Sequence, residues 1–300
     1  DLAELQQPSE TTHRAAFVAL RDGAVVGSGS LALFLKDNPR IGALGVNVPP
    51  QFRRAGVGSA LLAHIENEAV QAGRTTMRVD IFWPASLSAD GTGAANREFA
   101  RHHGYEVALG DLQNRLDLPV AETVIDELLS QAPADGYEIH SWVGAVPERF
   151  IAEWAALDAT LDTEAPTGDL DLEASSADVD DYRSDEALQA RQGRTSFGTV
   201  ALDADGRVAA YTQIVVSGDD GNAYQWGTLV RREDRGHGLG LRVKLENLRM
   251  LQSHSPQTPR IYTFNAESNT HMLAVNTRLG FAMTARMAEL QKRVGDAAGS

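Results

Sequence analysis

Two short stretches carry the residues best suited to chemistry. VPPQFRRAGVGSALL runs from Val48 to Leu62, and VRREDRGHGLGLRVK runs from Val230 to Lys244. With Gly56 laid on Gly238 they share a valine, an arginine five positions on, Gly-x-Gly and an apolar run. The spacing is 238 − 56 = 182 residues, and two such turns with the same flanks point to a duplication. A strand that enters a glycine turn and then a helix leaves backbone N–H groups unpaired at the positive end of the helix dipole. Such a place binds anions, phosphate above all. Two familiar phosphate motifs do not fit. No lysine follows either turn as a Walker loop requires, and Leu61 and Leu241 stand where a dinucleotide fingerprint needs its third glycine. No kinase-like H-R-D and no metal-ligand cluster accompanies the turns.

The elements needed to hold these turns recur in the same order in both halves. In the first, Ala15 to Leu20, Ala24 to Phe34 and Ile41 to Val48 read as strands and Gly58 to Gln71 as an amphipathic helix. Thr76 to Phe82 is a strand, Gly93 to His103 a helix, and Tyr105 to Leu118 a closing pair of strands. In the second, Thr199 to Leu202, Arg207 to Val216 and Ala223 to Val230 are strands, Gly238 to Gln252 a helix, Arg260 to Phe264 a strand, Ser268 to Arg278 a helix and Met283 to Gln291 a strand. An opening strand, Tyr137 to Val143, and a helix, Pro147 to Leu161, precede the second set and have no obvious counterpart in the first. The expected division is residues 1–118 as one domain, 119–136 as linker and 137–294 as the second domain. Asp162 to Glu186, acidic and rich in turn formers, reads as a surface loop, and SADGTG from Ser88 to Gly93 has the composition of a mobile one.

Composition narrows the function. With 43 % hydrophobic residues the chain can bury ordinary cores. A net charge of −14, from 27 basic and 41 acidic residues, argues against nucleic acid or an anionic membrane as partner and favours a cationic substrate. Zero cysteines exclude disulfides, thiolate metal sites and a cysteine nucleophile. No apolar run of membrane-spanning length and no signal peptide is seen, so a cytoplasmic place is expected.

The pattern [Q/R]-x-x-G-x-[G/A], here Arg53-Arg54-Ala55-Gly56-Val57-Gly58 and Arg235-Gly236-His237-Gly238-Leu239-Gly240, resembles the acyl-CoA pyrophosphate loop of the GNAT superfamily of N-acetyltransferases. TFNAESNTHMLAVNTRLGF in the second half resembles the same family's strand, helix and closing LGF. The resemblance implies an α/β (α+β) chain of two GNAT domains in tandem, each a mixed, mostly antiparallel sheet flanked by helices. In that arrangement it is loosely similar to mycothiol synthase.

The resemblance further implies acetyl-CoA as cofactor. Its pyrophosphate would lie on the two loops, including Ser59. Its pantetheine arm would lie along Thr228, Leu229 and Val230 in the second copy and Val46, Asn47 and Val48 in the first, with Asn265 and Asn269 near the end of the neighbouring strand. Where the family often has a tyrosine acid, this chain has Asn276, and in the first copy Ala100, with Gly93 in place of Asn269. The strand before the second loop carries Tyr224, Gln225 and Trp226 and no carboxylate, so Glu164, Asp169 and Asp171 of the acidic segment become candidate bases. The first copy is therefore expected to be degenerate and the second catalytic. The expected reaction is direct attack of a primary amine on the thioester. The acceptor is expected to be a small cationic molecule: an antibiotic, a polyamine, or an amino-acid or peptide derivative. Catalytic candidates are Glu164, Asp169, Tyr224 and Asn276; no metal is expected, and the chain is a monomer or homodimer. The alternative is a non-catalytic acyl-CoA-binding or interaction module of the same fold.

Overall fold

A computed structural model describes residues 11–164, 166–173 and 176–294. In chain order the strands are β1 (Thr12–Arg21), β2 (Ala24–Phe34), β3 (Ile41–Asn47), β4 (Thr76–Pro84), β5 (Glu106–Asp117), β6 (Glu138–Val143), β7 (Thr195–Leu202), β8 (Val208–Val216), β9 (Ala223–Val230), β10 (Arg260–Ala266) and β11 (Ala282–Arg293). The helices are α1 (Val57–Gln71), α2 (Ala95–His102), α3 (Glu122–Ser130), α4 (Glu148–Asp158), α5 (Val179–Arg191), α6 (Leu239–His254) and α7 (Thr270–Leu279), with one further helical turn at Leu161–Glu164. The chain divides into two units, and β5 and β11 each have residues in both. No described helix is long and apolar enough to cross a membrane.

The first unit comprises Asp1–Gly110, Thr167–Glu173 and Arg286–Ser300, as far as these are described. Its strand order is β1-β2-β3-β4-β11. Helix α1 forms because Leu61, Leu62, Ile65 and Ala69 recur at helical spacing. All four are buried, the last three of them against Leu31, Leu33, Leu44 and Met77. The helix stops at Gly73, whose φ of +81° an L side chain rarely adopts. Gly29 permits the close approach, since a Cβ there would lie 2.3 Å from Ile65 Cδ1. The part of β11 that belongs here adds Ala288 and Leu290 to the core, and Lys292 reaches Glu66 at 2.8 Å.

The second unit comprises Asp111–Pro166 and Ala174–Ala285, with strand order β5-β10-β9-β8-β7-β6. Leu241, Leu245, Leu248 and Leu251 of α6 pack with Phe197, Ile214, Ile261, Val275 and Leu279. On another side of the sheet, Phe150, Ile151, Trp154 and Leu157 of α4 pack against Val200, Val208 and Tyr211. Within the expected linker of residues 119–136, where Glu122 to Leu129 reads as a short helical patch, α3 buries Ile125 and Leu129 in the α6 core. The first unit has no described counterpart of β6 and α4. The difference shows on β1, where Val18 is 59 % exposed while Val200, 182 positions on, is fully buried.

Two expectations need correction. Tyr105 to Leu118 is one long strand, not a pair. The acidic stretch is not a plain loop: Asp178 accepts hydrogen bonds from the N–H groups of Asp180 and Asp181 and starts α5, because acids stabilise a helix N-terminus. The SADGTG turn is internally bonded, with Asp90 accepting from Ser88 Oγ at 2.7 Å and from Thr92 N at 3.0 Å.

Candidate functional site

In the second unit, parallel β9 and β10 pair only at Ala223 with Ile261 and Tyr224 with Tyr262. Beyond that point the strands part, so the side of β9 from Gln225 to Val230 that would face β10 opens into a fork. Half of a strand's N–H and C=O groups face each neighbour, and here those on one side are left for a ligand. The first unit repeats the feature: β3 and β4 pair at Ile41, Gly42 and Ala43 with Thr76, Met77 and Arg78, then separate.

Each fork leads into one of the glycine turns, and the two turns have the same backbone. A 3-10 turn precedes each, at Pro50–Phe52 and Arg232–Asp234. The following arginine braces the end of its strand: Arg53 Nε donates to Val48 O at 2.8 Å and Arg235 Nε to Val230 O at 3.3 Å. Gly56 and Gly238 then begin α1 and α6 with φ of +79° and +73°. Neither helix has a side-chain cap or an acid in its first turn, so its leading N–H groups keep their capacity for an anion. Arg54 holds a left-handed φ of +61° where the second loop has Gly236 at +90°. Val57 and Leu239 are buried anchors that fasten the loops to their cores. Ala55 is exposed. The His237 ring lies 5.6 Å from that of Tyr137. Ser59 bonds His103 Nε2 at 3.0 Å, where the second repeat packs Leu241 in one cluster with Leu279.

The forks differ in one respect. In the first unit β2 and β3 pair without interruption. In the second, Ile214 faces Gln225 and Thr212 faces Thr228, so Trp226 and Gly227 together oppose the single residue Gln213. Such a bulge puts an extra residue outside the ladder and reverses, for the rest of the strand, which N–H groups face each side. Side chains grip it from both faces. Gln225 Nε2 donates to Gln213 O at 2.6 Å and to Thr212 Oγ1 at 3.0 Å, and Thr212 and Thr228 hydroxyls lie 2.7 Å apart. Lys244 Nζ, on α6, donates to Gln225 Oε1 at 3.2 Å. Lys244 is 3 % exposed, and burial pushes its pKa down to about 7. Opposite, the Tyr211 hydroxyl donates to Asp158 Oδ1 and rests over Gly227, where a Cβ would come within 2.2 Å of it. Gly227→Ala is therefore expected to push Tyr211 off Asp158 and to cost about 1–3 kcal/mol of stability, as overpacking does; urea unfolding would measure it.

The proposed catalytic residues are not gathered at one point. Glu164 pairs with Arg232 and Arg235, each at 2.7 Å. The Arg235 hydrogen bond leads in holding its pKa below the usual carboxylate range, which makes it a weak base. Glu164→Gln should release both guanidiniums to a phosphate and tighten acetyl-CoA binding about two- to fivefold, the range of an exposed ion pair; calorimetric titration would show it. Asp169 belongs to the first unit, its N–H bonded to Ala108 O at 2.9 Å, and in the same segment Asp171 pairs with Arg40. Tyr224 stands at the last paired position before the fork and donates to Asp220 at 3.1 Å, with burial first among the causes that raise its pKa. Asn276 is buried and donates to Asn265 Oδ1 at 2.7 Å, while its own Oδ1 has no protein partner. Asn269 caps α7 by accepting from Met272 N. Trp226 is 42 % exposed beside the bulge.

Sequence reasoning missed Asp158, Tyr211 and Lys244. A signal existed for the last: Lys244 interrupts the buried series Leu241, Leu245, Leu248 of α6. None existed for Asp158 and Tyr211, which meet only through the packing of α4 on β8. Among the described residues no group of acids and histidines could hold a metal ion.

Residues 12–107 match the family model of the acetyltransferase (GNAT) domain, and the match falls on the first repeat. A solved tandem GNAT protein from the clavulanic acid biosynthesis pathway is 27 % identical, with a TM-score of 0.79 over 99 % of this chain and 87 % of that one. A GCN5-related N-acetyltransferase from Sphaerobacter thermophilus is similar in fold at 17 % identity and TM-score 0.62, over 93 % of this chain and 81 % of that one. The GCN5-related glucosamine N-acetyltransferase region of a fungal multi-domain β-N-acetylglucosaminidase follows at 16 % identity and TM-score 0.60, over 96 % of this chain and 34 % of that one. No curated protein matches at a significant level. Two forks, two equivalent glycine turns, the GNAT-domain match over the first repeat and the full-length likeness together give this chain the fold of a tandem GNAT protein.

Proposed function

We propose that the protein is an acetyl-CoA-dependent N-acetyltransferase that acts on a primary amine of a small molecule, with the chemistry in the second repeat. The observation that carries this reading is the bulged fork at Trp226–Gly227, which the first repeat lacks. The residues present suit the cofactor. Uncapped N–H groups of Gly236 to Gly240 and the guanidinium of Arg235 would hold its pyrophosphate. Thr228, Leu229 and Val230 offer the open strand side to its pantetheine amides. The partnerless Oδ1 of Asn276 is the kind of buried acceptor that an amide-bearing arm satisfies. Acetyl-CoA supplies an acetyl group activated as a thioester.

The chain's own groups do the rest. Backbone N–H groups at the bulge are preorganised donors for negative charge developing in the fork. Asp158, reached through the Tyr211 hydroxyl, is the better placed acceptor for the amine's proton, because Glu164 is engaged by two arginines. The absence of cysteine favours direct transfer to the amine. Preference for a cationic acceptor rests on the net charge of −14. Likeness to a tandem GNAT protein of a biosynthetic pathway supports a small-molecule acceptor.

Release of free thiol from acetyl-CoA, followed against a panel of polyamines, amino acids and amino sugars, tests the proposal. Amine-dependent release that falls in Asp158→Asn is expected. Tight acetyl-CoA binding with no release for any amine would favour a non-catalytic acyl-CoA-binding module.

A further inference from the structure

We infer that Lys244 and Gln225 are positioning residues that hold the β9 bulge in the register at which its N–H groups meet the acyl oxygen of the donor. This rests on the reading of the second repeat as the acyl-transfer site. Gln225 is the first residue of β9 past the last pair with β10, so its side chain sits at the root of the fork. Its Nε2 donates to the carbonyl of Gln213, the one residue that faces two across the bulge. Its Oε1 is in turn fixed by Lys244 Nζ, which also lies 5.8 Å from the centre of the Phe281 ring. The amide is thus held at both ends, and with it the backbone on either side.

The first repeat provides an internal control. Subtracting 182 from 225 and 244 gives Ala43 and Leu62, neither of which can make these bonds, and there β2 and β3 run in unbroken register. An amine is costly to bury, and this one lies where the backbone departs from regular pairing. A methionine would fill the same space more favourably.

Carbon-13 NMR of [1-13C]acetyl-CoA bound to the full chain reads the environment of the acyl oxygen, and calorimetry reads affinity. In the wild type the bound carbonyl resonance should lie downfield of free acetyl-CoA. Any signal from the first repeat is recognised by its loss in Gly58→Glu. In Lys244→Met and Gln225→Leu the displaced resonance should return toward the free position while Kd changes within about threefold. Lys244→Gln, which restores an N–H donor toward Gln225, should keep the displacement. If Lys244→Met and Gln225→Leu bind and retain the wild-type resonance, the positioning role is wrong though the site reading stands. If the wild type binds at the second repeat with no displacement, the bulge does not polarise the donor, and both the site reading and this inference fall.

Discussion

Gly240→Glu is expected to remove acetyl-CoA binding from the second repeat, weakening it by about two to three orders of magnitude, as a carboxylate near a phosphate at partly solvated range would. The substitution is sterically mild. A Cβ at Gly240 would meet only Val230 Cγ2, at 3.6 Å. It is also electrostatically mild for the apo protein, since an acid in the first turn of α6 stabilises the helix. The loss would therefore report the anion site, not the fold. Gly58→Glu is the partner experiment in the first loop and is tighter, with Phe99 Cε2 at 3.3 Å, so its melting temperature should be read alongside. Calorimetry of both variants decides between two arrangements. Loss in Gly240→Glu alone makes the first repeat a structural partner; loss of one of two sites in each variant makes both repeats CoA domains and ends the asymmetric reading.

Lys244→Met is expected to stabilise the protein, and by more at pH 7 than at pH 10. Burial pushes the folded pKa of Lys244 down to about 7, whereas the unfolded chain holds its proton to about pH 10.4. Between these values the unfolded state binds more protons, so the wild type gains stability as pH rises from 7 to 10 and loses it as pH falls. The full difference is on the order of 4 kcal/mol, less roughly 1 kcal/mol for the Gln225 hydrogen bond given up by the variant. Urea denaturation of both proteins across that range isolates this lysine from other titrating groups. Parallel pH dependence in the two would mean that Lys244 keeps its charge in the folded state. A stabilised Lys244→Met that also loses the acyl carbonyl displacement would show that the buried amine serves the site at the expense of the fold.

Much of the architecture was legible because the physics that specifies it is local. Apolar residues at helical spacing define α1 and α6 wherever they occur, and glycine readily takes the positive φ at which each helix begins. The 182-residue repeat, the loop residues from Arg53 to Gly58 and from Arg235 to Gly240, and the tandem GNAT arrangement could therefore be read from the chain alone. Local patterns misled where charge stood in for structure. Acid-rich Asp162 to Glu186 reads as a surface loop with candidate bases, yet Glu164 is taken up by two arginines, Asp169 and Asp171 lie in the first unit, and Asp178 caps the helix that begins at Val179.

What only the tertiary structure decided is what depends on register and on contacts between distant residues. The β9 segment has the same length as its counterpart β3 between equivalent positions, so no insertion marks the bulge. It arises because Tyr211 presses on Gly227 from one face while Gln225 and Lys244 hold the other. The membership of β5 and β11 is likewise a matter of pairing: Asp111 to Asp117 lies beside β10 in the second unit, and Arg286 to Arg293 lies in the first. Spacing along the chain determines which residues can form a glycine turn before a helix; the alignment of one strand against another determines which turn has a bulged fork behind it.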